Sequence, residues 1–310
     1  MLTANVSQCK IYLYTNKFCI GRDFTAVSYF RPTELGAALD WLSSHTGHVA
    51  AGCTDLFAGT DRPALSGPIL DVTAIDGLRG VHVSDNGWRI GATTTWTDII
   101  HADLPPSFNA LKLAAREVGS MQIQNAGTIA GNLCNASPAA DGAPCLLALD
   151  ATVELVSAAG PRTMALSDFI TGPSQTALRS NEMMTAIHVS RDSGRGRSHF
   201  SKLGARKYLV ISIAMVAARV SVNDGTIVQA AVSVGACSAV AVRLPEVEAA
   251  LVGQSVQADT LSAISDTMVT MALAPIDDIR SDADYRLTAA AELVRRTLRP
   301  LLTEDHEAAA

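Results

Sequence analysis

The sequence predicts an α+β protein in which a mixed region of helices and short strands is followed by a small antiparallel sheet and further helices. Strand-like apolar segments alternate with a helical segment up to about residue 80, and Asn86 with Gly87 marks a first hairpin. A second hairpin signal, at Asn223, Asp224 and Gly225, precedes a tail with apolar positions at helical spacing. A chain of 310 residues has room for two domains, or for one large domain with an appendage.

Residues 27–80 have the pattern of a small α/β unit. Thr33 is the expected N-cap of its helix, because apolar residues from Leu35 to Leu42 recur at helical spacing just after it. A turn beginning at Gly52 follows the second strand, and α/β sheets usually bind ligands at the carboxyl ends of their strands. Strands are predicted over residues 29–32, 48–51 and 69–72.

The remainder of the chain changes to antiparallel strands mixed with helices. The polar, glycine-containing run at residues 190–197 is expected to be a loop near a domain boundary, and Ser281 with Asp284 resembles a capping box. Strands are predicted over residues 81–83, 88–90, 151–156, 211–222 and 226–234 and near Thr163. Helices are predicted over residues 94–100, 107–118, 246–251, 260–272 and 281–301.

Composition and charge exclude several classes of function. A net charge of −6 argues against nucleic acid and anionic membranes as partners. No apolar run reaches the roughly 18 residues of a membrane span, and the longest, residues 208–218, is interpreted as a buried strand. The N-terminus lacks the pattern of a secretory signal. Six cysteines without a CxxC pair and seven scattered histidines predict no metal or cluster site, and unclustered cysteines indicate a reducing cytoplasm.

One stretch of small residues lies between two segments of ordinary core composition. Residues 126–143 have the sequence AGTIAGNLCNASPAADGA. Small residues allow main-chain N–H groups to point into a shared concavity, and such a nest binds phosphate oxygens. The same composition is typical of a plain polar surface turn. Taken alone, the stretch predicts an anion site, with a plain turn as the alternative.

A second turn of small and polar residues follows the strand predicted at residues 48–51. It contains Gly52, Cys53, Thr54 and Asp55, and the two turns together could grip a dinucleotide pyrophosphate from both sides. The GxGxxG fingerprint of a Rossmann site is absent from the sequence. Its absence removes the commonest NAD-binding interpretation.

The two turns resemble those of the FAD-binding subunit of the molybdenum hydroxylases, the family of xanthine dehydrogenase, aldehyde oxidoreductases and aerobic carbon monoxide dehydrogenase. Order and spacing match from about residue 29 to residue 300, and the long second motif is the specific part. The matching segments are AGCTDL at residues 51–56, GTIAGNL at 127–133, NASPAAD at 135–141, DF at 168–169, TG at 171–172 and FSK at 200–202.

The resemblance implies an architecture and a set of partners. It implies a two-subdomain FAD-binding domain of the PCMH (vanillyl-alcohol-oxidase-like) type, followed by a CO dehydrogenase flavoprotein C-terminal-like domain. FAD would be bound non-covalently, whereas the molybdenum cofactor and 2Fe–2S clusters would lie on a large and a small partner subunit of a dimer of heterotrimers. The implied divisions are an extension at 1–26, subdomains at about 27–80 and 81–198, the second domain at 199–304 and a tail at 305–310.

The resemblance also assigns roles to residues of the two turns and beyond. Thr128 and Asn132 would add hydrogen bonds from the turn that contains Gly131, and Val118 would line the adenine or ribose side. Asp141 would accept hydrogen bonds from cofactor hydroxyls, and Met184 matches a position that contacts the cofactor in relatives. Backbone amides of the first turn would hold the pyrophosphate, over Ala51, Gly52, Cys53, Thr54, Asp55 and Leu56.

Lys202 is the candidate for tuning the flavin, although no residue is assigned a catalytic role with certainty. Reduced flavin tends towards an anion at neutral pH, and a nearby ammonium would stabilise that charge and raise the reduction potential. The alternative is an exposed lysine at a strand end, the usual environment of lysine.

Cys53 departs from the family pattern, because relatives commonly have glycine at this position. A side chain restricts the backbone angles there, so pyrophosphate binding would weaken if the position requires a positive φ. Ala130 also replaces a frequent glycine, and alanine is a familiar variant there.

Three functions remain open at the level of sequence. The favoured one is an electron-transfer subunit that passes electrons from iron–sulfur clusters through FAD to NAD⁺ or another acceptor. The second is a stand-alone FAD-dependent oxidase or dehydrogenase, for which no acid or base is identifiable, and the third is a scaffold that has lost its cofactor. Thr54, Asp55 and Leu56 are more similar to xanthine or aldehyde dehydrogenase relatives than to the medium subunit of carbon monoxide dehydrogenase, which carries a His–Ser pair there.

Overall fold

A computed structural model describes residues 28–59, 65 and 67–303 of the chain. Within these residues lie a three-stranded, a five-stranded, a four-stranded and a two-stranded sheet, with helices between and after them. The α+β prediction is confirmed. The predicted N-terminal extension (1–26) and the tail (305–310) lie outside the described residues.

The first sheet is parallel and small, with the order β1–β3–β2. Helix α1 packs Ala38, Trp41 and Leu42 into a core beneath it. The expected cap at Thr33 is wrong, because Glu34 occupies the N-cap and makes no side-chain capping bond. The elements are β1 (Tyr29–Phe30), α1 (Leu35–Ser44), β2 (His48–Ala50) and β3 (Ile69–Asp71).

The second sheet is antiparallel, with the strand order β4–β5–β10–β6–β7. Its central strand, β10, was not predicted, and its run of mostly buried residues pairs with β5 on one side and β6 on the other. The strands are β4 (Val81–Ser84), β5 (Gly87–Gly91), β6 (Thr152–Ser157), β7 (Gly160–Ala165), the separate pair β8 (Ile170–Gly172) and β9 (Gln175–Thr176), and β10 (Met183–Ser190).

The small-residue stretch at 126–143 is mostly helical, so its prediction as a loop is wrong. Thr128 caps a helix there by accepting a hydrogen bond from the N–H of Gly131 (3.1 Å), and Ile129 and Leu133 are buried on one face. Ala136 ends this helix in the left-handed conformation. The helices are α2 (Trp96–His101), α3 (Asn109–Glu117) after a 3₁₀ turn (Pro106–Phe108), α4 (Met121–Ala126), α5 (Ile129–Asn135), α6 (Gly142–Ala148) and α7 (Leu166–Phe169).

The third sheet is antiparallel, in the order β11–β12–β13–β14, with helices packed against it. The hairpin at Asp224 and Gly225 is confirmed, since both residues have positive φ, as a type I′ turn requires. The strand predicted from residue 211 begins only at Ala214. The elements are β11 (Arg197–Leu203), β12 (Ala214–Asn223), β13 (Thr226–Gly235), β14 (Val242–Arg243), α8 (Pro245–Leu251), a 3₁₀ turn (Ala258–Ala263), α9 (Asp266–Thr270) and α10 (Ala283–Leu302).

Two helix predictions in this region need correction. The helix predicted over residues 260–272 is broken, because Ile264 is extended and Ser265 caps a new helix, α9. The long helix α10 is capped by Asp282, which accepts from the N–H of Tyr285 (2.7 Å), and not by Ser281. None of the helices in the described residues is long and apolar enough to cross a membrane.

Helix α6 packs against the third sheet and is anchored to it at its carboxyl end. All seven of its residues are buried. Arg243 and Arg219 donate to its last carbonyls, those of Leu147 (2.9 Å) and Ala148 (2.8 Å), and both arginines pair with Asp150. Cations at a helix carboxyl end also interact favourably with the helix dipole. This arrangement fixes the residue before α6, Asp141, relative to the third sheet.

Candidate cofactor-binding site

A cavity of about 1000 Å³ lies where the first turn, helices α4 and α5 and the third sheet meet. Twelve of the thirteen predicted site residues line it. The exception is Met184, which lies in β10, is 4% exposed and packs in the main core. The twelve are Ala51, Gly52, Cys53, Thr54, Asp55, Leu56, Val118, Thr128, Gly131, Asn132, Asp141 and Lys202.

The first turn touches the small-residue stretch directly through Gly52. A Cβ at this position would lie 1.9 Å from the carbonyl oxygen of Ala126, so only glycine allows the two backbones to approach so closely. Within the described residues, none of the backbone N–H groups of Gly52, Cys53 and Thr54 donates to a protein acceptor. Because buried or partly buried N–H groups are normally paired, this row of donors is available to a ligand.

Cys53 adopts the left-handed conformation, with φ +57°, which is unfavourable for a residue with a side chain. A non-glycine residue in this region costs roughly 1–2 kcal/mol. Its thiol donates to the carbonyl of Ala51 (3.5 Å), and burial raises the pKa of the Cys53 thiol. The side chain is therefore neutral at pH 7 and adds no charge to the turn.

The amino end of α5 does not offer the nest of free N–H groups that its sequence predicts. The N–H groups of Ile129 and Ala130 donate to the carbonyls of Thr94 (2.9 Å) and Ala92 (3.2 Å). The N–H of Gly131 donates to the side-chain oxygen of Thr128. This wall instead presents a side chain, since the buried Oδ1 of Asn132 has no hydrogen-bond partner in the described residues. A buried polar atom without a partner is rare in folded proteins and indicates a missing ligand or water.

Another part of the cavity lining carries a buried ion pair. Lys202 Nζ lies 2.7 Å from Asp141 Oδ2 and donates to the carbonyl of Glu117 (3.4 Å), and the two charged side chains are each 8% exposed. Ser212 donates to the other oxygen of Asp141 (3.1 Å). Burial raises the pKa of Asp141, and the Lys202 ammonium opposes that rise. The exposed-lysine alternative is wrong, and both oxygens of Asp141 already have a protein donor.

A second charged group at this wall was missed by sequence reasoning. Arg286, 2% exposed, donates to the carbonyls of Ile213 (2.7 Å) and Ala236 (2.8 Å) and pairs with Asp278 (2.8 Å). The backbone N–H of Arg280 and the two arginine side chains lower the pKa of Asp278 to about 2. No local motif marks Arg286, because the two carbonyl groups to which it donates lie 73 and 50 positions away in the chain.

The residues present fit a large ligand that carries a diphosphate. Free N–H groups and glycine on one wall suit phosphate oxygens, and the unpartnered Asn132 oxygen suits a ligand donor. The volume is at the upper end of the range for small-molecule and cofactor sites. Among the described residues, no group of three or more His, Cys, Asp or Glu could hold a metal ion.

Comparison with known proteins decides the family. A family profile described as "FAD binding domain in molybdopterin dehydrogenase" matches residues 22–191, more than half of the chain. The chain belongs to the FAD-binding subunits of the molybdenum hydroxylases. A second profile, "CO dehydrogenase flavoprotein C-terminal domain", matches residues 199–301.

Individual members of the family agree with this assignment. The chain is 36% identical to the nicotinate dehydrogenase FAD-subunit of Eubacterium barkeri, over 73% of this chain and 80% of that one. It is 30% identical to the xanthine dehydrogenase FAD-binding subunit of Escherichia coli O157:H7, over 85% and 92%. A chain of CO dehydrogenase from Oligotropha carboxidovorans superimposes with a TM-score of 0.82 at 26% identity, covering 89% of this chain and 98% of that one.

Membership of the family identifies the cofactor of this chain. It is an oxidoreductase subunit that binds FAD, and the molybdenum cofactor and iron–sulfur clusters of such enzymes belong to partner subunits. Its solved and curated relatives are subunits of complexes with several chains.

Proposed function

We propose that this chain is the electron-transfer subunit of a dehydrogenase for N-heterocycles, purines or aldehydes, and that it passes electrons from iron–sulfur clusters through FAD to NAD⁺ or another acceptor. The row of free N–H groups at Gly52, Cys53 and Thr54, three residues that line a cavity with a buried lysine in its wall, is the observation that supports it most directly. Bound FAD supplies the redox chemistry, since it accepts and releases one or two electrons.

The chain's own residues would bind and orient that cofactor. The N–H groups of the first turn would hold the pyrophosphate, with Thr54, Asp55 and Leu56 completing the turn. Asn132 would accept a hydrogen bond from the cofactor, because its Oδ1 lacks any other partner among the described residues. Val118 lines the cavity and would add an apolar contact to the cofactor.

Lys202 would act on the charge of the cofactor, and Asp141 would act through Lys202. The ammonium lies in a wall of the cavity, where low solvent exposure strengthens its field. Asp141 holds it there through a 2.7 Å ion pair and is itself oriented by Ser212. Asp141 is therefore proposed as a positioning residue, in place of the direct contact with cofactor hydroxyls predicted from the sequence.

The cavity is poorly equipped for substrate chemistry of its own, which favours electron transfer over a stand-alone oxidase. No histidine of the described chain lines it. Of its three lining carboxylates, Asp141 and Asp278 are engaged in ion pairs, and only Asp55 is without one among the described residues. General acid–base catalysis needs a titratable group within reach of the reacting atom, and such a group is scarce here.

The proposed substrate class, subunit composition and location rest on the chain's relatives and on its sequence. Nicotinate and xanthine dehydrogenase subunits are among the chain's relatives, and Thr54–Leu56 departs from the carbon monoxide dehydrogenase pattern, so we propose a substrate of the heterocycle or aldehyde class. We further propose a dimer of heterotrimers with an iron–sulfur and a molybdenum subunit. A cytoplasmic location is supported by four free cysteines in the described chain.

The test begins with the full chain purified alone. We expect a flavin absorption spectrum, with FAD released into the supernatant by acid precipitation. Mixing the loaded chain anaerobically with xanthine, nicotinate or an aldehyde should leave the flavin oxidised, whereas NADH should reduce it if NAD⁺ is the acceptor. Colourless protein that takes up no added FAD would contradict the proposed site. Reduction by one of the substrates without partner subunits would favour the stand-alone oxidase.

A further inference from the structure

A second pocket, of about 460 Å³, lies beside the FAD cavity and shares two lining residues with it, Lys202 and Val210. Its other apolar lining residues are Leu113, Phe200 and Leu203. Its charged lining residues, apart from Lys202, are Arg116, Glu117, Arg206 and Lys207.

Positive charge dominates this second pocket although the chain as a whole is acidic. Within the described residues, Arg116 and Lys207 take part in no ion pair, and Arg206 donates to the carbonyl of Leu209 (3.0 Å) rather than to a carboxylate. Glu117 is the one carboxylate among the lining residues that the structure describes. In a chain of net charge −6, a concave cluster of this kind focuses a local positive potential.

Lys202 connects the pocket to the FAD cavity. Its ammonium donates to Asp141 in the cavity and to the carbonyl of Glu117, at the carboxyl end of α3, in the second pocket. The side chain is more than nine-tenths buried, so it belongs to the built wall between the two spaces. A charge placed on either side therefore acts on the same ammonium at short range.

We propose that the second pocket binds a small molecule bearing phosphate or carboxylate groups, and that Lys202 couples its binding to the charge of the flavin. Arginine side chains bind such groups through paired hydrogen bonds, and the apolar residues would contact the remainder of the ligand. A concave pocket with a buried lysine in its wall fits a small ligand better than a flat protein surface. The binding step stands alone, whereas the coupling rests on the proposed FAD function.

Binding is tested by calorimetric titration of the full, FAD-loaded chain with inorganic pyrophosphate at low salt. Arg116→Ala and Lys207→Ala should each weaken binding by about tenfold, the value of one charge-assisted hydrogen bond. Arg299→Ala is the matched control, because it removes an exposed arginine of α10 that does not line the pocket; it should leave the affinity unchanged. Equal affinities in all four proteins, or no binding by the wild type, would overturn the proposal.

Three further outcomes separate this proposal from others. If pyrophosphate binding is lost in Gly52→Ala but not in Arg116→Ala, the anion occupies the FAD turn and the pocket assignment is wrong. If an acidic peptide binds at least tenfold more tightly than pyrophosphate, the surface serves a protein partner and the small-ligand proposal is wrong. If the chain takes up no FAD but Arg116→Ala still weakens pyrophosphate binding, the pocket stands and the proposed function fails.

Coupling is tested by repeating the titration with the flavin chemically reduced. Because reduced flavin carries negative charge on the other side of Lys202, pyrophosphate should bind at least about fivefold more weakly than to the oxidised protein. In Lys202→Met, the oxidised and the reduced protein should bind pyrophosphate with equal affinity. Equal affinities in the wild type for both redox states would refute the coupling while leaving the binding site intact.

Discussion

The cavity proposed to bind FAD has two walls of different composition. The wall formed by the first turn and α5 uses backbone groups and small side chains, with Gly52 against Ala126 and three free N–H groups. The wall that includes Lys202 of the third sheet uses charged pairs, the buried Lys202 with Asp141 and the buried Arg286 with the partly exposed Asp278. The first wall suits holding a phosphate chain, and the second suits adjusting the charge of whatever the first wall holds.

The largest expected effect is on the charged wall. Asp141→Ala leaves the Lys202 ammonium buried without its carboxylate, which should lower the free energy of unfolding by about 3–5 kcal/mol in urea titrations. Glu292→Ala is the control, because it breaks an ion pair with Arg296 in which both side chains are at least half exposed. That loss should be under about 1 kcal/mol. Similar losses in the two variants would show that the Lys202–Asp141 pair contributes no more than a surface pair.

The next effect tests the backbone wall. Gly52→Ala forces its Cβ against the Ala126 carbonyl, so the turn must move and its N–H groups lose their alignment. Loss of two charge-assisted hydrogen bonds at about 1.5 kcal/mol each predicts FAD binding about 100-fold weaker, measured by fluorescence titration. Gly36→Ala, in α1, is the control, since a Cβ there meets nothing within 4 Å. Unchanged FAD affinity in Gly52→Ala would remove the first turn from the site.

A smaller effect concerns the pH dependence of the charged wall. The pKa of folded Asp278 is about 2, against an ordinary value of 3.8. Its contribution to the free energy of unfolding is therefore fully present above about pH 4 and is lost as the pH falls from about 4 to about 2. Asp278→Asn should reduce the fall in the urea midpoint between pH 6 and pH 3. Other carboxyls with lowered pKa, such as Glu182, act equally in both proteins. Identical falls in the two proteins would contradict the role of Asp278.

The smallest effect is at Cys53. Cys53→Gly relieves roughly 1–2 kcal/mol of backbone strain but raises the conformational entropy of the unfolded chain, which costs about 0.5–1 kcal/mol. The net result should be a slight stabilisation, under about 1 kcal/mol in thermal unfolding, with FAD affinity equal or higher. A destabilised Cys53→Gly protein would show that the thiol contact with Ala51 outweighs the strain.

The difference between the two walls also explains what the sequence could predict. Gly52 and the residues after it are identifiable because a local run of small and polar residues marks a turn, although the contact with Ala126 that requires glycine is visible only in the structure. The pair Lys202–Asp141 spans 61 positions, and the bond from Arg286 to Ile213 spans 73, so no spacing rule reveals either. The resemblance named Lys202 and Asp141 separately, and only the structure shows that they bind each other.

Errors in the predicted elements have a similar origin. The stretch at 126–143 was predicted as a loop because glycine and alanine dominate it, yet Ile129 and Leu133 supply the buried face that stabilises α5. Strand β10 was missed because its run of mostly buried residues lacks the polar alternation that marks a half-buried strand. The hairpins at Gly87 and Gly225 were predicted correctly, since each depends on turn residues adjacent in sequence.

The central claim, that one wall holds FAD and the other sets its charge, is tested most directly by a potentiometric titration of the flavin in Lys202→Met beside the wild type. Lys202→Met removes the ammonium proposed to lie beside the flavin, while Asp141 keeps its hydrogen bond from Ser212. We expect FAD to remain bound with a midpoint potential at least about 30 mV lower, equivalent to about 1.4 kcal/mol for a two-electron couple. An unchanged potential with FAD bound would contradict the account.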